Sequence, residues 1–308
     1  MTTVLYTHPA CLEHETGGGH PESAERLKAL LARLSEPDFD ALERRIAPYA
    51  DRDQLSRAHD IPYITKVFAT APRTGEAYIA PDTVMSPGSL RAATRAAGAV
   101  CAAVDAVLIG EALNAFCAVR PPGHHAAKTN TMGFCIFNNI AVGIEHARQV
   151  HGLERMAVVD FDVHHGNGTE VIFRNDPNTM VASIHQALTF PNSGARCDVG
   201  AGNIINVPLA RNTTAKDFRR AFEDNIVPRV IDFAPELLFV SAGFDAHLRD
   251  PLGDQRLTTD DFGWLTERLM AIAESRCGGK LVSVLEGGYD PDAVAQAGAA
   301  HIAALMRH

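Results

Sequence analysis

The feature that most constrains this chain is an alternation of short apolar runs with stretches long enough to form helices. The runs are Val4–Thr7, Ala115–Arg120, Met156–His164, Met180–His185, Leu237–Ala242 and Lys280–Leu285, and they end in glycine or polar residues. They lack the strict polar/apolar alternation of a half-exposed strand, so they predict strands buried on both faces. Between them lie the amphipathic stretches Ser23–Leu34, Pro87–Gly110, Asn138–Val150, Thr214–Phe233, Thr259–Ser275 and Pro291–Arg307. Several open on Ser, Thr, Asp or Pro and some close on Gly, as helices do. Buried strands separated by helices predict an α/β fold with a doubly wound, mainly parallel sheet. No Ser/Gly/Pro-rich linker, charge block or internal repeat divides the chain, so residues 1–308 are expected to form a single domain. In such sheets chemistry gathers beyond the carboxyl ends of the strands. Four ends stand out here, after Val119, Val159, Ala242 and Leu285.

Composition narrows the partners. The chain has 28 Lys and Arg against 37 Asp and Glu, a net charge of −9, which disfavours direct binding to nucleic acid or to an anionic membrane. A hydrophobic content of 46% is enough for a folded core and excludes a disordered or fibrous chain. The stretch Ala92–Leu113 carries Arg95, Asp105 and Glu111 and suits a packed helix better than a membrane span. Cysteines 11, 101, 117, 135, 197 and 277 form no CxxC pair and read as reduced thiols. With no basic start followed by an apolar segment, a cytoplasmic location is expected. None of these features specifies an oligomeric state.

The densest chemistry is Asp160-Phe161-Asp162-Val163-His164-His165-Gly166-Asn167-Gly168. If the strand persists to His164, residues 160, 162 and 164 point to one side. Ionised carboxylates buried there cost on the order of several kcal/mol each unless paired, and a divalent cation is the natural partner. A single Asp at a strand end more often caps a loop or meets an arginine; the repetition is what favours metal. Asp245, at the end of Ser241-Ala242-Gly243-Phe244-Asp245, is the candidate third ligand, although taken alone it is equally a helix N-cap or turn residue. The set Asp162, His164 and Asp245 leaves a coordination position open, as catalytic zinc does, and its oxygen-rich character also suits iron(II), manganese or cobalt.

Arg120-Pro121-Pro122-Gly123 stiffens the backbone ahead of His124-His125, as a general base requires. If Asp160 and Asn167 accept hydrogen bonds from the two rings, one imidazole would have a charged acceptor and the other a neutral one, which would separate their basicities. In Leu285-Glu286-Gly287-Gly288-Tyr289-Asp290 the Tyr289 phenol is a candidate donor to a developing oxyanion. Gly-Gly-Tyr by itself is more often a turn carrying a packed aromatic.

RPPGHHA at 120–126, GFCIFNN at 133–139, DFDVHHGNGT at 160–169, SAGFDAHLRDPLG at 241–253 and LEGGYD at 285–290 resemble the histone deacetylase superfamily in order and spacing. Gly19-His20-Pro21-Glu22 with Arg26, and Asp82-Thr83, extend the resemblance toward the amino terminus. Asn167 and Glu286 make it most similar to the class II branch and its bacterial homologues, the acetylpolyamine amidohydrolases among them. The resemblance implies an arginase/deacetylase fold, a catalytic zinc, with iron(II) as the alternative metal in the cell, and hydrolysis of an N-acetyl amide. It implies Asp162, His164 and Asp245 as zinc ligands, His124 and His125 as the catalytic pair backed by Asp160 and Asn167, and Tyr289 as oxyanion donor. It further implies Gly133, Phe134 and Phe190 as channel walls, Asp82 at the rim accepting from the substrate backbone, and a structural potassium ion near Asp160, Asp162, His164 and Ser183.

The expected substrates are an acetylated lysine in a peptide or protein, or a similar acetylated small amine such as an acetylpolyamine. Leu252 stands where polyamine-selective relatives can place an acidic residue, which tilts the reading toward acetyl-lysine. A dimetal arginase-like ureohydrolase is the rival hydrolase, but in this chain His247 replaces the second aspartate expected after Asp245, and the tandem His124-His125 fits the deacetylase pattern instead. A catalytically inactive acyl-lysine-binding module is the rival outside enzymology, against which the complete set of site residues argues.

Overall fold

The computed structural model describes residues 2–308. The first strand, β1 (Thr3–Thr7), leads to helix α1 (Ala24–Arg33), a charged strand β2 (Glu43–Ile46) and two helices, α2 (Arg52–Ser56) and α3 (Ile61–Thr70). A small hairpin, β3 (Ala77–Ala80) and β4 (Thr83–Met85), precedes the long helix α4 (Ser89–Leu108), strand β5 (Asn114–Cys117) and helix α5 (Asn139–His151). Next come β6 (Met156–Asp160), α6 (Asn167–Phe173), β7 (Thr179–Gln186) and β8 (Ile204–Leu209). The chain ends with α7 (Ala215–Asn225), α8 (Val227–Phe233), β9 (Leu237–Ala242), α9 (Thr259–Cys277), β10 (Leu281–Leu285) and α10 (Pro291–Met306).

Eight strands form one sheet in the order β2-β1-β5-β10-β9-β6-β7-β8. Every pairing described within it is parallel. The central strands are buried throughout, because helices cover both faces and leave no side for water. Four adjacent strands, β5, β10, β9 and β6, are those whose carboxyl ends carry the sequence motifs. Register sets their ends level: Val284 lies opposite Cys117, Leu285 opposite Ala242 and Asp160 opposite Ser241.

The structure departs from the sequence expectation in places that have physical causes. Strand β6, expected to reach His164, ends at Asp160. Asp160 Oδ1 accepts from the Asp162 amide (3.1 Å) and Asp162 Oδ1 from the His164 amide (2.9 Å), so side chains take the place of the ladder and bend the chain. Residues 160, 162 and 164 are therefore aligned by a loop and not by strand pleating. The run expected to reach Arg120 stops at Cys117, ahead of two prolines that cannot donate to a ladder. The stretch 214–233 is two helices, because Pro228 has no amide for the helix bond and its ring opposes the carbonyl four residues back. Strand β8 contains Pro208, a residue tolerated at a sheet edge, and charged β2 occupies the other edge. Among the described residues no helix is long and apolar enough to cross a membrane.

Candidate active site

Asp162, His164 and Asp245 converge below the carboxyl ends of β6 and β9. His164 Nδ1 lies 3.1 Å from Asp162 Oδ1 and 3.1 Å from Asp245 Oδ2, and the side chains are almost wholly buried. Backbone amides hold the carboxylates in place: Gly287 donates to Asp162 Oδ2 (2.8 Å) and Val163 to Asp245 Oδ1 (2.7 Å). Gly287 has to be glycine, since a Cβ there would sit 2.2 Å from Asp245 Oδ2 and 2.5 Å from Asp162 Oδ2.

The electrostatics of the cluster call for a cation. Burial, reinforced by the Asp162 charge, pushes the Asp245 carboxyl up to about 7. Burial acts the same way on Asp162, but His124 and the His164 hydrogen bond outweigh it and hold Asp162 well below the usual carboxylate range. For His164 burial opposes protonation, yet its bonds to Asp162 and Asp245 raise it to about 10. A proton on His164 stands where the lone pair of a ligand would be needed. One nitrogen and two carboxylate oxygens, all within 4.8 Å of one another, fit a zinc-type site with an open position.

The histidine pair follows the turn after β5. His124 Nδ1 is 2.9 Å from Asp160 Oδ2, and His125 Nδ1 is 2.8 Å from Asn167 Oδ1. Burial disfavours a charge on His124, but the carboxylates of Asp162 and Asp160 outweigh it and raise the ring well above its ordinary value. Burial also disfavours a charge on His125, and the neighbouring His124 and His164 add to it, so this ring is held well below. Two adjacent imidazoles with centroids 4.0 Å apart thus have opposite tendencies. Glu286 fixes their backbone, accepting from the amides of Gly123 (2.6 Å) and His124 (3.1 Å).

A cavity of about 330 Å³ opens above the cluster, lined by Asp82, His125, Gly133, Phe134, His164, Thr189, Phe190, Leu252 and Tyr289. Phe190 packs edge-on against His125 with centroids 5.0 Å apart, and Phe134 packs against Tyr289 at 6.0 Å. Gly133, at φ +57, leaves no room for a side chain, because a Cβ would lie 2.3 Å from His125 Cδ2. Asp82 Oδ2 accepts from the Gly133 amide (2.8 Å), so the carboxylate also braces the channel wall. His124 lies behind His125, outside the lining. Ser183 is also outside it: it pairs in register with Asp160 on β7, and its hydroxyl meets His185 Nδ1 at 2.9 Å.

Several residues that shape the site carried no assigned role in the sequence. Asp250 Oδ2 accepts from the Tyr289 amide (2.6 Å) and its Oδ1 from Leu252 (2.8 Å), joining the phenol to the rim. Arg26, wholly buried, donates to the carbonyls of Gly288 and Glu286 and lies 5.0 Å from the centre of the Tyr289 ring. Glu22 holds Arg26 (2.7 Å) and Arg120 (2.7 Å) together. Burial opposes the Glu22 charge, but Arg120 and Arg26 overcome it and lower the carboxyl to about 2. The only signal for this network was the presence of Glu22, Arg26 and Arg120 within motifs; Glu22 and Arg26 are four residues apart, but the Glu22–Arg120 contact spans 98 residues.

A family model described as "Histone deacetylase domain" matches residues 20–305. The chain belongs to the histone deacetylase family. That membership makes it a hydrolase of the deacetylase and amidohydrolase kind. It is 41% identical to the histone deacetylase-like amidohydrolase of Pseudomonas aeruginosa, over 88% of this chain and 73% of that protein. It is 34% identical to type-2 histone deacetylase 2 of Dictyostelium discoideum, over 93% of this chain but a fifth (20%) of that longer protein. The crystal structure of the HDA15 HD domain superposes with a TM-score of 0.94 at 32% identity, covering 100% of this chain and 88% of the other.

Proposed function

We propose that this protein is a zinc-dependent deacetylase that hydrolyses the acetyl amide of N-acetyl-lysine side chains or of similar acetylated amines. One observation carries the reading: a histidine pair with one charged and one neutral acceptor, beside a buried Asp162, His164 and Asp245 cluster at the foot of an aromatic-walled channel. Asp162, His164 and Asp245 would hold the ion, which when bound polarises the acetyl carbonyl and acidifies water. The donor set admits iron(II) in its place.

The chain's own groups supply the rest. Phe134 and Phe190 enclose an aliphatic tether and shed water from it. With Nδ1 bonded to Asn167, His125 keeps Nε2 free to take a proton from the attacking water and later return it to the leaving amine. His124, held toward its charged form by Asp160 and Asp162, stabilises developing negative charge. Burial and the nearby Asp245 and Asp162 raise the Tyr289 phenol well above its ordinary value, so it stays a hydrogen-bond donor to the oxyanion. Asp82 would accept from the substrate backbone at the rim. A structural potassium ion near Asp160, Asp162, His164 and Ser183 belongs to the same reading, and Asp160 and Ser183 are partners in the β6–β7 register.

Leu252 in the lining favours acetyl-lysine over an acetylpolyamine, whose cationic amines gain nothing from a leucine. His247 argues against a dimetal ureohydrolase: its ring stacks on Phe262 and meets Thr259 and the Arg249 amide, away from the donor cluster. The test is acetate release by zinc-loaded protein from an acetyl-lysine peptide and from an acetylpolyamine, side by side. Peptide turnover that falls about 10²–10³-fold in Tyr289→Phe is expected. Binding without acetate release would overturn the enzymatic reading, and full activity in Tyr289→Phe would remove the phenol from the mechanism.

A further inference from the structure

A second cluster of ligand-type side chains lies on the opposite side of the molecule. Asp105 is near the carboxyl end of α4, and His146 and His151 are in the last turns of α5. Both helices lead into the amino ends of strands, β5 and β6, so the cluster sits at the end of the sheet away from the histidine pair. His146 Nε2 lies 2.8 Å and His151 Nε2 2.7 Å from the same oxygen, Asp105 Oδ1. The three donor atoms fall within 4.8 Å of one another.

We infer that Asp105, His146 and His151 form a second binding site for a borderline divalent ion such as zinc, which clamps α4 to α5. Two imidazole nitrogens and a carboxylate oxygen are a donor set that zinc, nickel and copper accept. Zinc bonds of about 2.0–2.2 Å in tetrahedral geometry require donors roughly 3.3 Å apart. The present separations need to open by about half an ångström, and Asp105 is free to move because its side chain is 44% exposed. The same exposure leaves the remaining coordination position to water.

Arg57 sets the affinity. Its Nη1 lies 3.0 Å from His146 Nδ1, and a guanidinium only donates, so Nδ1 is the acceptor and Nε2 carries the proton given to Asp105. An ion on Nε2 displaces that proton to Nδ1, where it would face the Arg57 donor. Arg57 and the ion therefore compete, and the arginine has to turn aside for the site to fill.

The experiment is a zinc titration of untagged, metal-stripped protein, followed by calorimetry and by thermal unfolding. Two classes of site are expected. His151→Ala, at a partly exposed position, weakens the weaker class at least about tenfold, as does His146→Gln. Arg57→Ala tightens it about two- to tenfold, the equivalent of one hydrogen bond removed. Filling this class raises Tm in the wild type and not in His151→Ala, while acetate release is unchanged. Asp245→Asn removes the other class alone, so failure of this site and failure of the catalytic reading are distinguishable. Zinc binding in the wild type that both histidine substitutions leave unchanged would overturn the site. An unchanged affinity in Arg57→Ala would overturn the competition.

Discussion

The two clusters, Asp162-His164-Asp245 at the carboxyl end of the sheet and Asp105-His146-His151 at the amino end, use the same chemical groups in opposite surroundings. In the first, both carboxylates are completely buried and each also accepts a backbone amide. Its charges have no water to turn to, and without a cation Asp245 is driven up to about 7. In the second, Asp105 reaches solvent. Partial burial opposes its charge, but hydrogen bonds from His146 and His151 lower its carboxyl, so the group is satisfied with no ion at all. Burial thus makes the first donor set one in which the proposed ion would relieve crowded buried charge, and leaves the second one whose groups are already satisfied without the ion we infer there.

Removing a donor at each end breaks or sharpens that contrast. Asp162→Asn keeps the shape and removes a charge, and is expected to lower zinc affinity more than about 100-fold and take acetate release to background. Metal content after dialysis and a turnover assay read both. An active, metal-loaded Asp162→Asn protein would erase the distinction.

Glu22 shows what a buried carboxylate does when arginines satisfy it instead of a metal. Glu22→Gln strands two buried guanidinium groups and should cost about 3–5 kcal/mol, measured by urea unfolding of metal-free protein. The Glu22 carboxyl is lowered in the folded state from 4.5 to about 2. Its stabilising contribution, about 3 kcal/mol, is therefore complete above pH 4.5 and is lost as pH falls toward 2. The Glu22→Gln protein should lack that component of acid destabilisation, and an identical acid profile in the two proteins would contradict it.

Asp160→Asn makes the acceptors behind the two histidines alike. Turnover should fall about 10- to 100-fold while zinc content is retained, because the variant alters an orienting partner and no donor of the cluster. Retained turnover would mean that the charge of that acceptor has no part in separating His124 from His125. The smallest effect belongs to the amino end. His151→Ala should leave acetate release within about twofold and metal-free stability within about 1 kcal/mol, as for other partly exposed polar pairs.

How much of this was readable before the fold depended on range. Asp162, His164 and Asp245 could be singled out because an apolar run followed by several ligand-type residues is a local pattern. The pleated-strand argument that grouped 160, 162 and 164 was wrong in mechanism, since short side-chain to backbone bonds bend that segment. Glu286 was noted, but its grip on the Gly123 and His124 amides was not, because 163 and 162 residues separate the partners. Asp105, His146 and His151 drew no notice as ligands. Each lies on an amphipathic helix, where a polar residue reads as ordinary surface.

By itself the sequence determined the class of sheet, the positions of most strands and helices, and the segments that hold the chemistry. All of these follow from hydrophobic period, turn residues and local motif. Tertiary structure alone decided that β5, β10, β9 and β6 are neighbours with level ends, that Glu22 bridges Arg26 and Arg120, and that α4 and α5 bring one aspartate to two histidines. The physical reason is that periodicity and turn chemistry act between nearby residues. Strand order, register and the pairing of buried charges come from burying the whole chain at once, and no short stretch of sequence carries that information.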